Sequence, residues 1–138
     1  MKVTWTYDRG DHRDNHETDV TEPATLEAVL SEIHEAGEPV VVTIFSDLAD
    51  DPDDLPSGLQ VGLGHPTHAF AVHIADDGGY LHDRSVDAPT QGIRFDFGGV
   101  PTEYPVEHLC LNPETAIKVA GTFLATGGDP PHVPAASE

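Results

Sequence analysis

Residues 39–46, PVVVTIFS, are the stretch that decides how this chain folds. The run is rich in β-branched residues, and it is apolar on both faces through Val42. β-branched side chains favour the pleated backbone of a strand. A strand without polar alternation is typical of one whose two faces are both buried. We therefore predict that residues 39–46 form a central strand of a sheet.

Shorter runs on both sides of this strand alternate between apolar and polar residues, which is the period of a half-buried strand. Asp76-Asp77-Gly78-Gly79 predicts a hairpin turn between two such runs, because glycine adopts the positive φ angles that tight turns need. By contrast, RGDHRDNHETDV, residues 9–20, has no such pattern, and we predict a loop there. The predicted strands are KVTWTYD (2–8), LQVGLGH (59–65), THAFAVHIA (67–75), YLHDRS (80–85), GIRFDFGG (92–99) and an edge segment, PTEYPVEHL (101–109).

Two segments carry the start and stop signals of amphipathic helices. The first should begin at Thr21 as its N-cap, with Pro23 in the first turn, and end at Gly37. The second should begin at Asn112, a favourable N-cap residue, and end at residues 126–128. Apolar residues recur with helical spacing in each, which predicts one buried face per helix. They are Leu26, Val29, Leu30 and Ile33 in the first helix, and Ala116, Val119, Ala120, Phe123 and Leu124 in the second.

The order of these elements predicts the fold class. Most connections between strands are too short to contain a crossover helix, so the sheet should be largely antiparallel. Two helices would then pack on one of its faces. We predict an α+β fold with a mostly antiparallel sheet of five to six strands. Residues 1–128 should form a single domain, and residues 129–138 should form a proline-rich tail.

The charge of the chain narrows the choice of partners. Its 25 acidic residues and 6 basic residues give a formal net charge of -19. From Asp14 to Asp83 sixteen acidic residues occur without one Lys or Arg. Such a surface repels nucleic acid and anionic membranes, and it attracts basic proteins. No apolar run reaches the roughly 18 residues of a membrane span, and the N-terminus lacks a signal-peptide core, so we expect a cytoplasmic protein.

The densest acidic segment is SDLADDPDDLPSG, residues 46–58. Five aspartates fall within eight positions, and like charges at such spacing repel one another. Adaptation to high salt would explain acidity in general, but it would spread the acids over the whole chain. The long span without a basic residue instead favours an acidic face directed at a partner. The five aspartates are Asp47, Asp50, Asp51, Asp53 and Asp54.

Motifs for catalysis are absent from the sequence. His65, His68, His73 and His82 lie in or near neighbouring predicted strands, but HExxH and CxxC motifs do not occur, so we predict no metal and no other cofactor. No Gly-x-Ser-x-Gly motif occurs, and the lone Cys110 lies in an apolar stretch that favours a core role. Two alternatives stay open. One is a small metal-dependent or acid–base enzyme that uses these histidines, and the other is a nucleic-acid mimic that inhibits a DNA-binding protein.

Four segments together carry a resemblance to a known family. The pattern is a Glu-x-x-Pro-like strand end, a leucine pair, and a helix that finishes in Phe-x-x-Thr-Gly. Residues 20–127, which contain this pattern, resemble the first-numbered immunity family of bacterial polymorphic toxin systems. Members usually continue with a proline and a tryptophan, where this chain has DPPHVP. The segments are PATLEAVLSEIHEAGEPVVVTIF, LQVGLGH, GIRFDFGG with TEYP, and LNPETAIKVAGTFLATGG, and the pattern residues are Glu103, Pro105, Leu109, Leu111, Phe123, Thr126 and Gly127.

The resemblance implies a binding protein, not an enzyme, that neutralises a cognate toxin, often a nucleic-acid deaminase. A deaminase grips a phosphate backbone and takes a base into its pocket, so it carries a basic groove. The resemblance thus implies a one-to-one complex in which an acidic face covers that groove. Trp5 and Tyr7 are candidate aromatic anchors, although we favour core packing for Trp5. The main candidate contacts are the five aspartates, Asp76, Asp77, Tyr80, Glu103 and Tyr104.

Overall fold

A computed structural model describes residues 1–45, 58–74, 79–83 and 86–127 of the 138-residue chain. Two strands come first, followed by a helix, five more strands and a second helix. The strands are β1 (Lys2–Asp8), β2 (Arg13–Asp19), β3 (Val40–Phe45), β4 (Gly58–Leu63), β5 (Phe70–Ile74), β6 (Ile93–Phe97) and β7 (Val100–Tyr104). The helices are α1 (Pro23–Glu35) and α2 (Pro113–Ala125), with a short 3₁₀ helix (Val106–His108) before α2.

The strand β3 lies at the centre of the sheet, as its sequence predicts. Five strands follow the order β2-β1-β3-β4-β5, and neighbours in this order are antiparallel. The β6–β7 hairpin joins beside β3 through one parallel pairing between Val40 and Asp96. The Asp96 N–H donates to the Pro39 carbonyl at 3.0 Å, and the Asp8 N–H donates to the Asp96 carboxylate at 3.2 Å. The hairpin therefore lies beside β3 at Val40, whereas β1 pairs with residues 43–45 of the same strand.

The strand β2 corrects the prediction of a loop over residues 9–20. All seven residues of β1 pair with residues of β2, which completes the backbone ladder between them. Lys2 Nζ lies 3.1 Å from Glu17 Oε1, and Thr6 Oγ1 donates to Asn15 Oδ1 at 2.9 Å, so side chains add cross-strand contacts. Because β2 is an edge strand with mostly exposed side chains, it needs no apolar alternation to form. The prediction failed because it relied on that alternation.

The predicted strand over residues 80–85 is also wrong within residues 80–83, which the structure describes. Tyr80 there forms one isolated β-bridge, with Val72 of β5, and the three residues after it lie outside any strand. The described part of the chain thus contains seven strands, where five to six were predicted. β2 was not predicted as a strand, this segment is not one, and the predicted edge segment contributes a full strand, β7.

Both predicted helices form. The helix α1 is capped by Glu22, not by Thr21 as predicted, and the Glu22 side chain makes no capping hydrogen bond. The shift has a steric reason, because Pro23 at the first helical position keeps the residue before it extended. The helix α2 begins as predicted: the Asn112 side chain accepts a hydrogen bond from the Thr115 N–H at 2.8 Å. Neither described helix combines the length and the apolar run that a membrane crossing requires.

The sheet has a hydrophobic core on each of its faces. The helices α1 and α2 pack on one face, as predicted, over Val40, Val42 and Ile44 of β3. On the opposite face the β6–β7 hairpin covers Val41 and Phe70, and this second core was not predicted. The fold is therefore α+β, as the sequence indicates, with a sheet that is buried on both sides at its centre. The second core consists of Val41, Phe70, Phe95, Tyr104 and Leu109.

Candidate functional site

Seven aspartates of the predicted interface lie outside the residues that the structure describes. Phe45 and Gly58 border the longer acidic segment, and Ile74 precedes the shorter one. Phe45 pairs with Gly58, and Gly58 pairs with Ile74, across β3, β4 and β5. The described residues that border the two segments therefore meet at one end of the sheet. The seven residues are Asp47, Asp50, Asp51, Asp53, Asp54, Asp76 and Asp77.

Two of the other predicted contacts, Tyr80 and Tyr104, belong to a group of five rings on the face opposite the helices. Phe70 stacks on Tyr104 with centroids 4.3 Å apart, and it meets Phe95 edge-on at 5.3 Å. Tyr80 meets Phe70 edge-on at 6.0 Å and stacks on His108 at 3.7 Å, with 7° between the ring planes. We call this group the aromatic cluster. Its members are Phe70, Tyr80, Phe95, Tyr104 and His108.

The two tyrosines of the aromatic cluster differ in accessibility. Tyr104 is 8% exposed, and burial, together with the nearby Tyr80, raises its pKa to about 12. Tyr80 is 37% exposed, and partial burial raises the pKa of its phenol above the ordinary value. Both phenols therefore stay protonated at neutral pH. Part of the Tyr80 side chain is therefore exposed to solvent, whereas Tyr104 packs inside the cluster.

Glu103, the remaining predicted contact, lies one residue before Tyr104 on β7, so its side chain is on the opposite face of that strand. Glu103 is exposed on β7, and its pairing partner on β6 is Arg94. His108, which lies against the Tyr80 ring, comes from the 3₁₀ helix before α2. Sequence analysis did not identify His108, because its distance from Tyr80 along the chain gives no local signal of the stacking. Only the packing of β7 and the 3₁₀ helix against β5 brings the two rings together.

The further candidate anchors, Trp5 and Tyr7, lie on the helix side of the sheet. Trp5 stacks on His16 of β2 with centroids 5.2 Å apart, and it also packs against the larger core. Tyr7 is buried, at 6% exposure. Both line a groove of about 320 Å³ between the β1–β2 pair and α1. The half-buried Trp5 thus has the core contacts that the sequence favoured, and the rest of its surface faces the groove.

The structure brings together two of the four histidines that the sequence singled out. His65 and His68 lie with ring centroids 5.9 Å apart, whereas His73 is buried against Phe123 on the helix side of the sheet. His65 Nδ1 accepts hydrogen bonds from the backbone N–H groups of Thr67 at 3.3 Å and His68 at 3.2 Å. Within the described ranges, no three His, Cys, Asp or Glu side chains are placed to hold a metal ion. His82 lies apart from this pair and is exposed.

The environment of His65 makes the stability of the fold depend on pH. Burial, and then the nearby His68 and His34, lower the pKa of His65 below its ordinary value. The folded state therefore binds fewer protons than the unfolded state, so stability is full above about pH 6.5 and falls as the pH drops through the lower folded pKa. We expect urea denaturation between pH 7.5 and pH 5 to show a steeper loss of stability for wild type than for His65→Gln.

An exposed histidine provides the control for this experiment. His82→Gln removes an exposed imidazole in place of the partly buried one, and its unfolding is measured in parallel as the reference. Equal slopes of unfolding free energy against pH in wild type and in His65→Gln would contradict the role given to His65.

A comparison with protein families gives a match over most of the chain. The family model described as immunity protein Imm1 matches residues 14–137. No curated protein and no solved structure matches the chain. The matched range runs from β2 through α2, and it includes all five members of the aromatic cluster.

Proposed function

Because this chain belongs to the Imm1 family of immunity proteins, we propose that it neutralises a nucleic-acid deaminase toxin by covering the toxin's basic substrate surface. A deaminase holds a phosphate backbone while one base is taken out of the stack. The surface that does so must be basic, because phosphate contacts come largely from Lys and Arg. A protein with a net charge of -19 competes for the same surface.

The uneven distribution of charge is the observation that carries this proposal. Sixteen acidic residues between Asp14 and Asp83 are not interrupted by any Lys or Arg. The pairing of Phe45, Gly58 and Ile74 supports one common acidic face, because these residues border both acidic segments. Long-range attraction between such a face and a basic surface raises the rate of association.

We propose that the contacts with the toxin come from the acidic segments and from the surface around the aromatic cluster. Tyr80 and Glu103 are exposed and offer direct contacts. Tyr104 is buried and contributes by holding Phe70 and Phe95 in place. The proposed contact residues are Asp47, Asp50, Asp51, Asp53, Asp54, Asp76, Asp77, Tyr80 and Glu103, with Tyr104 in support.

We propose that inhibition is by binding in a one-to-one complex, without catalysis. A complex of ordinary size would bury about 1,600 Å² in total, which one face of a domain this small provides. Nothing in the arrangement of His65 and His68 favours the enzyme alternative. The Nδ1 atom of His65 is already used as an acceptor by the backbone of its own turn.

Co-expression with the protein encoded immediately upstream tests the proposal. We expect the upstream protein alone to stop the growth of a bacterial host and this chain to restore it. Size-exclusion chromatography with light scattering should then show a one-to-one complex. An immunity chain of another family, co-expressed in the same way, serves as the control and should give no rescue.

Sequencing of host nucleic acid separates the deaminase part of the proposal from the immunity part. Toxin alone should leave converted cytosine or adenine bases, and co-expression of this chain should remove them. Rescue without converted bases in the toxin-only cells would keep the immunity role and discard the deaminase. Absence of both rescue and complex would refute the proposed function.

A further inference from the structure

Tyr80 is exposed and yet firmly held, a combination that interface anchors share. Its ring lies flat against His108 at 3.7 Å and edge-on to the buried Phe70. Backbone hydrogen bonds on both sides tie this segment to β5: the Leu81 N–H donates to the Ala71 carbonyl at 2.8 Å, and the Gly79 carbonyl accepts from the His73 N–H at 3.2 Å. The side chain is thus set in place before any partner binds.

The surface next to Tyr80 is apolar. Tyr80 forms its β-bridge with Val72, and Ile74 lies two residues further along β5, on the same face as Val72. Ile74 is 36% exposed, close to the 37% of Tyr80. A single exposed apolar side chain is ordinary on a protein surface. Two neighbouring ones, Tyr80 and Ile74, of which Tyr80 is held by ring stacking, are typical of the centre of an interface.

The charges near this apolar surface are mostly negative. Residues 79–83 and 106–108, which supply Tyr80 and His108, carry Asp83 and Glu107 and no Lys or Arg. A partner group that fits here is therefore positively charged and has a flat apolar surface of its own.

We propose that the Tyr80 ring is the anchor point for an arginine side chain of the toxin, and this inference rests on the proposed function. A guanidinium group is planar and weakly hydrated, so it stacks on an aromatic face while its N–H groups reach nearby carboxylates. Lysine lacks the planar group and is more strongly hydrated. Since Tyr80 is already ordered by His108 and the β5 hydrogen bonds, little side-chain entropy is lost on binding.

Affinity measurements with matched variants test the anchor. The probe is the toxin domain of the upstream-encoded protein, purified from the co-expressed complex. Tyr80→Leu should weaken the Kd by about thirtyfold or more, as loss of a central anchor does. Tyr80→Phe, which keeps the ring, should stay within about threefold of wild type, because the stacking face remains.

Phe97 provides the matched control, because it is 40% exposed but lies on β6 next to the turn of the β6–β7 hairpin. Phe97→Leu should leave the Kd unchanged. A wild-type Kd for Tyr80→Leu would overturn the anchor while leaving the proposed function intact. Failure of wild type to bind the toxin domain at all would instead overturn the proposed function.

Photo-crosslinking tests the same surface without relying on a destabilising variant. With p-benzoylphenylalanine in place of Tyr80, irradiation of the complex should join the two chains, and with the same group in place of Phe97 it should not. Mass spectrometry should map the adduct to a toxin peptide that contains arginine. An adduct on a peptide without arginine, or none from position 80, would overturn the inference.

Discussion

Replacing Phe70 with alanine is expected to lower the free energy of unfolding by about 3–5 kcal/mol, a large share of the roughly 5–15 kcal/mol that stabilises a typical domain. Phe70 is fully buried, and it contacts Tyr80, Phe95 and Tyr104. Its removal would leave a cavity at the middle of the aromatic cluster. Urea denaturation at pH 7.5 measures the loss.

Gly62 packs directly against the Phe70 ring, and substitutions at this glycine test the same contact. A Cβ atom at Gly62 would lie 2.3 Å from Phe70 Cε1 and 2.4 Å from Cδ1, distances that atoms do not tolerate. The Phe70 ring has no room to retreat, because Tyr104 is stacked on it. Gly62→Ala should therefore cost about 3 kcal/mol by overpacking. In the Phe70→Ala background the same change should be close to neutral, because the clash has gone.

The double-mutant cycle has a suitable glycine as its control. A Cβ atom at Gly79 would meet nothing within 4 Å, so Gly79→Ala should change the stability by less than about 0.5 kcal/mol. If the costs of Gly62→Ala and Phe70→Ala simply add in the double variant, Gly62 of β4 does not lie in close contact with the Phe70 ring.

Neutralising the five aspartates of residues 47–54 is expected to slow association with the toxin by about tenfold or more at low salt. The change is Asp to Asn at Asp47, Asp50, Asp51, Asp53 and Asp54 together. Side-chain size is nearly kept, so the effect isolates charge. The rate should also lose much of its dependence on ionic strength, whereas the dissociation rate should change far less. Stopped-flow fluorescence from 20 mM to 500 mM salt measures both.

A second variant with the same net charge distinguishes the effect of the acidic segment on association from the effect of total charge. Five exposed acids outside that segment are changed to their amides, which raises the net charge by the same amount. An equal slowing of association in both variants would show that only total charge matters, and the acidic segment would then be no special part of the interface. The control residues are Asp8, Asp11, Glu22, Glu32 and Glu35, all exposed.

The sequence by itself determined the fold class, the central strand, both helices and the resemblance to an immunity family. These features depend on local signals. Val40 to Ile44 read as a buried strand from their own side chains, and Asn112 before Pro113 marks a helix start whatever surrounds it. The net charge of -19 likewise needs no fold to be known.

Only the tertiary structure decided where the strand β2 forms and what the second face of the sheet buries. The strand β2 has no apolar pattern, and it forms because β1 offers it a complete ladder. Tyr104 was predicted as a candidate contact, and only the structure shows that the β6–β7 hairpin places its side chain inward, against Phe70. His108 and Tyr80 are distant in sequence and stacked in space. Non-local contacts of this kind depend on how strands pair and which face a hairpin covers, which local periodicity does not encode.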